Sequence, residues 1–289
     1  MSYKRNILFL IAVSFLSAQF DWINDGAPIR QGQHIEWQRT ADKGVDGEII
    51  FGWSDTREGM RDVYVQKVDA EGNKMWGENG LAVAQAFGRQ EDPLLVSDDA
   101  GGAFIIWIDY RSEPDTKGDV YAQHILSDGS LVWDIEGQPI VVKEGAQRSP
   151  NMCMDGYGGA YIIWKDFTVG QYEHVYATHI NSNNEIIAPG TGIAIITNNS
   201  HHTGISLETA GNGEAAMVWV DDRNETLDIY GQRIKADHTN GSITTLWSSE
   251  EEGGAVICDA DGDQNFAKVT YAKDCCDDEG VTVATWQDN

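Results

Sequence analysis

Positive charge is scarce in this chain. Its 289 residues carry 20 Lys and Arg against 46 Asp and Glu, a formal net charge of -26. Nucleic acid and anionic membrane surfaces both need clustered cations, so neither is an expected partner. Long apolar runs are equally rare: Ile7 to Leu16 is the longest, about half of what a spanning helix needs, and no membrane insertion is expected. Cysteine is limited to Cys153, Cys258, Cys275 and Cys276, without the paired spacing of a zinc site. Adjacent Cys275 and Cys276 do not easily bridge each other, which leaves open a Cys258 bridge to either of them, or free buried thiols. Long helix-period stretches are absent. So are a Gly-rich phosphate loop, HExxH and the GxSxG nucleophile elbow, and with them the sequence signs of the chemistries they serve.

The amino terminus does carry a signal. Lys4 and Arg5 form a positive start, Ile7 to Leu16 an apolar middle, and Ser17 with Ala18 a small-residue cleavage site. Residues 1–18 are therefore expected to be a signal peptide, and the mature protein, 19–289, to be exported: secreted, periplasmic or at the cell surface. Removing the signal takes away two cations and leaves a charge of about -28. Such acidity keeps a large β surface soluble and its edges apart.

What dominates the mature chain is a repeat. EIIFGWSDTR (48–57), AFIIWIDYR (103–111), AYIIWKDF (160–167), AAMVWVDDR (215–223) and VTVATWQDN (281–289) share an apolar strand ending Trp-x-Asp, usually with Arg two further on. The tryptophans, Trp53, Trp107, Trp164, Trp219 and Trp286, stand 54, 57, 55 and 67 residues apart. After the first four comes DVYVQK (62–67), DVYAQH (119–124), HVYATH (174–179) or DIYGQR (228–233), alternating as a half-buried strand does. A turn rich in Gly, Asp and Asn follows each, and in three cases Trp76, Trp133 or Trp247 is expected to open the next strand. Trp22 to Trp53, Trp76 to Trp107 and Trp133 to Trp164 are each 31 residues apart, an independent sign of register.

Four short strands per unit leave no room for crossover helices, so neighbours pair antiparallel through hairpins. Such a unit cannot bury both faces alone, and radial stacking is the arrangement that covers them. The expected fold is an all-β propeller of four-stranded antiparallel blades, with units near 33–84, 90–142, 148–196 and 203–257 and a partial one at 264–289. Either the ring is five-bladed with a defective closing blade, or the chain is the front part of a larger ring. The halt within WQDN favours the second.

The WxDxR and DIY pattern resembles the repeat-rich propellers of bacterial surfaces and secretomes and, more distantly, sialidase-like propellers. That resemblance covers nearly all of the mature chain and implies a propeller fold. Sialidase-like blades often carry an Asp box, Ser-x-Asp-x-Gly-x-Thr-Trp. Here SDGSLVW (127–133) and DAEGNKMW (69–76) occupy its place, with Gly one residue farther from Trp and no Thr. An arginine triad or a nucleophilic Tyr and Glu pair is not identifiable by motif. Many surface propellers also end in a type IX secretion sorting domain, and none is present, as expected if the carboxy end is missing.

Two polar constellations are candidate sites. The corner residues Asp55 with Arg57, Asp109 with Arg111, Asp166 alone, and Asp221 and Asp222 with Arg223 would line one face of the ring, where they could hold sugar hydroxyls, a peptide or a cation. The opposing reading is that each Asp caps its turn and pairs with its own Arg, and repetition in every blade favours it. Asp259, Asp261, Asp263 and Asn265 place oxygens at alternate positions, as Ca2+ loops do, but lack the EF-hand Gly and Glu; Asp274, Asp277, Asp278 and Glu279 would complete that site. His201 and His202 are adjacent and read as loop residues rather than joint metal ligands. The first functional expectation is a binding module for glycan, peptide or a cell-envelope protein. The alternatives are a glycoside-acting enzyme with carboxylates in a central well, and a spacer in a larger adhesin.

Overall fold

The structure, a computed structural model, describes residues 28–31, 36–168, 172–248, 253–273 and 280–288. The signal segment, Trp22, Cys275, Cys276 and the acidic residues Asp274, Asp277, Asp278 and Glu279 lie outside these. Every named element is a strand. The first sheet contains β1 (Glu36–Lys43), β2 (Ile49–Asp55), β3 (Asp62–Val68) and β4 (Leu81–Ala84), hydrogen-bonded in that order. The second repeats this with β5 (Gln90–Ser97), β6 (Ala103–Asp109), β7 (Asp119–Ile125) and β8 (Gln138–Val141), and the third with β9 (Gln147–Met154), β10 (Ala160–Asp166), β11 (His174–Ile180) and β12 (Ile193–Ile196). In the fourth, β13 (His202–Gly211), β14 (Glu214–Asp221) and β15 (Asp228–Asp237) are followed by β16 (Ser242–Thr245), which extends the hairpin, and by β17 (Ala255–Cys258). Pairing with β15, β17 takes the fourth-strand place, so the long interval before Trp286 holds one extra short strand. The fifth sheet has two strands, β18 (Gln264–Lys273) and β19 (Gly280–Asp288).

Register is the same throughout. Trp53 faces Tyr64, Trp107 Tyr121, Trp164 Tyr176 and Trp219 Tyr230 across the second and third strands, and the rings stack at 6.3, 6.2, 6.1 and 6.4 Å. A one-residue slip would turn every Trp to the other face, so the repeated pair pins the hairpin. Gly137 begins the approach to β8 with φ 79°, and a Cβ there would lie 2.4 Å from the Trp107 ring. Only glycine fits that backbone against that indole.

Four buried clusters join successive sheets face to face. Ile50, Val63 and Val65 pack on Leu95, Ile105 and Trp107; Phe104 and Ile106 pack on Ile162 and Trp164; Tyr161 and Ile163 on Met217 and Trp219; Ala216 and Val218 on Ala267 and Val269. This is the blade stacking of a propeller, in which the hydrophobic gain comes from pairs of sheets rather than from any one sheet.

Two expectations need correction. The DVY strands are not half-buried: all seven residues of β3 and of β7 are buried, because a neighbouring sheet covers each face. Trp76 and Trp133 do not open strands either; they precede β4 and β8 by five residues. Gln66 and Gln123 accept hydrogen bonds from their backbone N–H groups, at 2.9 and 3.0 Å, and Gln232 does the same for Trp247 at 3.0 Å. The buried glutamine of the third strand thus anchors the loop that carries the second tryptophan.

Candidate functional site

Three of the repeated corners are closed clamps. Asp55, Asp109 and Asp221 are fully buried. Each accepts from the indole N–H two residues earlier (2.9, 3.0 and 3.0 Å) and from the backbone N–H and guanidinium two residues later. The guanidiniums of Arg57, Arg111 and Arg223 also lie 3.6, 4.0 and 3.6 Å from the ring centres of Tyr64, Tyr121 and Tyr230, a cation–π arrangement. They donate further to the carbonyls of Asn79, Glu136 and Gly253 ahead of the fourth strand. Burial pushes the Asp55 and Asp221 carboxyls up, but the guanidinium, backbone and indole donors outweigh it and hold both below the usual carboxylate range. Asp222 is not the clamp residue; it accepts the His201 N–H at 2.8 Å.

The third blade lacks the arginine, with Thr168 in its place. Lys143, from the link before that blade, stands in: its Nζ lies 2.7 Å from Asp166 Oδ2 and 4.6 Å from the Tyr176 ring centre. The contact is an ion pair by distance, without hydrogen-bond alignment, and the Trp164 indole N–H has no partner. With their polar atoms spent on one another, the corners of the first, second and fourth blades are built as fasteners, and the third is held by its ion pair.

Behind the corners of the first, second and fourth blades sits a second carboxylate that sequence reasoning missed, Asp62, Asp119 or Asp228; the third has His174 there. Asp62 pairs across from Asp55, and burial, then the charges of Asp55 and Glu58, raise it to about 6. Gln90, the first residue of the next blade, reaches it at 3.1 Å once its amide is oriented to donate; Gln147 reaches Asp119 in the same way. The recurring Gln at the start of β5, β9 and β18 was the available signal. His202 replaces it in the fourth blade, fully buried, while exposed His201 donates from Nδ1 to Glu173 Oε2 at 3.1 Å. Burial opposes ionisation of Glu173, but Lys165 and His201 prevail and bring it down to about 2.

The open space lies on the axis. The inner strands β1, β5, β9 and β13, with Tyr271 of β18, surround a cavity of about 540 Å³. Asp42, Asp99 and Glu208 line it, each from a different blade, together with Lys43, Thr209 and Tyr271. Asp42 Oδ2 accepts the Ser97 N–H at 2.9 Å, which ties β1 to β5. Thr209 and Tyr271 also line an adjoining cavity of about 490 Å³ with Asp155, Tyr157 and Asn212. At the other end every inner strand bulges at the same place, with Gln38, Asp92, Ser149, Gly204 and Phe266 at positive φ. Bulges of this kind re-aim side chains at a rim. None of these channel carboxylates belongs to the repeated motif: Asp42 and Glu208 share one place on the inner strand, where the second and third blades have Val96 and Cys153, and Asp99 follows β5.

The acidic stretch Asp259, Asp261 and Asp263 is exposed, with Asp263 accepting the Leu227 N–H at 3.2 Å. Among the described residues no group of three or more His, Cys, Asp or Glu converges to hold a metal ion. Cys153 and Cys258 are free thiols. No helix among the described residues is long and apolar enough to cross a membrane.

The sequence matches no known family model and no curated protein. Among solved structures, the chain is similar to an alpha-L-arabinanase of Penicillium chrysogenum complexed with arabinobiose. The TM-score is 0.50 at 11% identity, over 86% of this chain and 74% of that one. An alpha-L-arabinofuranosidase of Fusarium graminearum follows, with TM-score 0.47 and 9% identity over 86% and 74%. At such identities the likeness is one of fold, and that to the Penicillium structure agrees with a propeller.

Proposed function

We propose that this protein acts on glycans, with the axial channel as its site. The observation that carries this reading is the channel lining: Asp42, Asp99 and Glu208, with Tyr271, come from four blades and break the symmetry that the corner clamps obey. A scaffold residue recurs in every blade, whereas a site needs unlike groups around one point. Carboxylates and a phenol around a cavity of about 540 Å³ suit sugar hydroxyls, and a carboxylate pair is what glycoside hydrolysis requires. The arabinobiose bound by the Penicillium structure supplies a first probe by analogy of fold. Glycoside action therefore takes precedence over the envelope-partner and spacer readings. Export, expected from residues 1–18, and the kinship with sialidase-like and bacterial surface propellers belong to the same proposal.

The test is to incubate the full chain with arabinan, arabino-oligosaccharides and a glycan array, measuring binding and release of reducing ends. Glycan binding that falls at least tenfold in Glu208→Gln or Asp42→Asn supports the site, and reducing-end release marks hydrolysis. Binding without turnover leaves a lectin-like module. No binding and no release on any glycan removes the proposal.

A further inference from the structure

The junctions between blades share one plan, and the second departs from the first in charge. Where the second blade leans on the first, Arg61 and Arg89 both pair with Glu91, and Arg89 also reaches Glu113 at 3.3 Å. The backbone fixes the correspondence with the next junction, because the Gln90 N–H donates to the Arg61 carbonyl and the Gln147 N–H to the Gly118 carbonyl. Gly118 therefore stands in the place of Arg61, Ala146 in that of Arg89, and Arg148 in that of Glu91. The carboxylate at the centre of the first junction has become an arginine in the second, and the two arginines around it have gone.

Arg148 occupies the room that this leaves. Gly118 has φ 107°, and a Cβ there would lie 2.5 Å from Arg148 Nη1. That nitrogen is buried without a hydrogen-bond partner, and the guanidinium lies 5.6 Å from the ring centre of Tyr110. Beside it opens a pocket of about 550 Å³ lined by Glu113, Pro114, Thr116, Lys117 and Arg148. Among the described residues no carboxylate pairs with Arg148 or with the exposed Lys117: Glu113 is engaged by Arg89, and the Thr116 hydroxyl donates to Asp119 at 2.8 Å. Two cations thus face one pocket without an acid to answer them, in a chain where 46 Asp and Glu outnumber 20 Lys and Arg.

We propose that this pocket binds an oxyanion, a phosphate, sulfate or carboxylate group, between the Arg148 guanidinium and the Lys117 ammonium. The anion restores at the second junction the negative charge that Glu91 supplies at the first. Arg148 offers forked N–H donors that match such oxygens, and Lys117 adds a point charge. Two sources carry the group, a free inorganic ion and the carboxylate of an acidic sugar. This site and the glycan reading fail separately, because no residue of the pocket lines the axial channel.

The experiment titrates the full chain with sodium phosphate, sodium sulfate and sodium glucuronate by calorimetry and thermal melting, at constant ionic strength balanced with chloride and with glucose as the uncharged control. Expected are saturable binding of at least one oxyanion at one site per chain, a rise in Tm with its concentration, and no binding of glucose. Affinity should fall at least about tenfold in Arg148→Gln and about threefold in Lys117→Gln. Tighter binding of glucuronate assigns the pocket to an acidic sugar, and tighter binding of phosphate or sulfate assigns it to a free ion. Lys117 is exposed, so its variant reports on the site even where Arg148→Gln weakens the fold. No saturable binding of any of the three anions, or an affinity that Lys117→Gln leaves unchanged, overturns the proposal.

Discussion

Replacing Asp109 by Ala is the sharpest probe of the corner clamp. The carboxylate is fully buried, and its loss leaves the Trp107 indole N–H without its acceptor 3.0 Å away and Arg111 without the oxygens at 2.9 and 2.7 Å. An orphaned buried donor costs about 1–3 kcal/mol. Breaking a buried ion pair by removing one partner costs about 3–5 kcal/mol, and the two effects overlap rather than add. We therefore expect Asp109→Ala to lose about 3–5 kcal/mol, roughly 6–20 °C in Tm at about 2–4 °C per kcal/mol for a domain of this size. Asp166→Ala is the internal control. Its indole N–H is already without a partner, and its cation is Lys143 rather than an arginine bonded through several N–H groups. The cost there should be lower by at least about 1 kcal/mol. Urea melts of the two variants and the parent decide the matter. Equal losses, or a loss under about 1 kcal/mol for Asp109→Ala, would refute the clamp as the fastener described.

Gly137→Ala should lose about 1–2 kcal/mol from the left-handed backbone and a further 1–3 kcal/mol from the 2.4 Å approach to Trp107, measured by the same melts; a neutral outcome would show that the loop moves freely off the indole. Acid should destabilise the fold through His238, whose ring nitrogen lies 2.8 Å from that of His179 across the third and fourth blades, with Asp155, Glu185 and Asp237 the charged groups near it. Burial, then His179, lower the His238 pKa. The unfolded chain therefore binds more protons in that window, and the stability tied to the neutral ring is present above the ordinary histidine pKa of about 6.5 and lost as pH falls from there toward the lowered value. Tm should drop between pH 7.5 and 5, and His238→Gln should flatten the drop; an unchanged slope in the variant would disprove the assignment.

Much of the blade was legible in the residues alone. Trp-x-Asp at intervals near 55, and the Tyr of DVY, specify a hairpin because side chains alternate strictly across a strand and a one-residue slip would expose every large ring. Repetition also argued that the corner carboxylates are structural, and the buried clamps have that form. Lys143 in place of the missing arginine was not legible: it lies outside the motif, and only the stacking of the second blade on the third brings it to Asp166. The glutamine contacts to Asp62 and Asp119 were hidden for the same reason, since partners some 28 residues apart in sequence meet only across a blade junction.

The sequence by itself determined the strands, their order and the rings that lock them, because those are local matters of period, turn and neighbour. Tertiary structure alone decided which polar groups remain available. The repeated acids turn inward to indole, backbone and cationic partners, whereas Asp42, Asp99 and Glu208, unremarkable in sequence, line the open axis. Radial stacking brings residues from different blades around one point, and no pattern within a single repeat encodes that convergence.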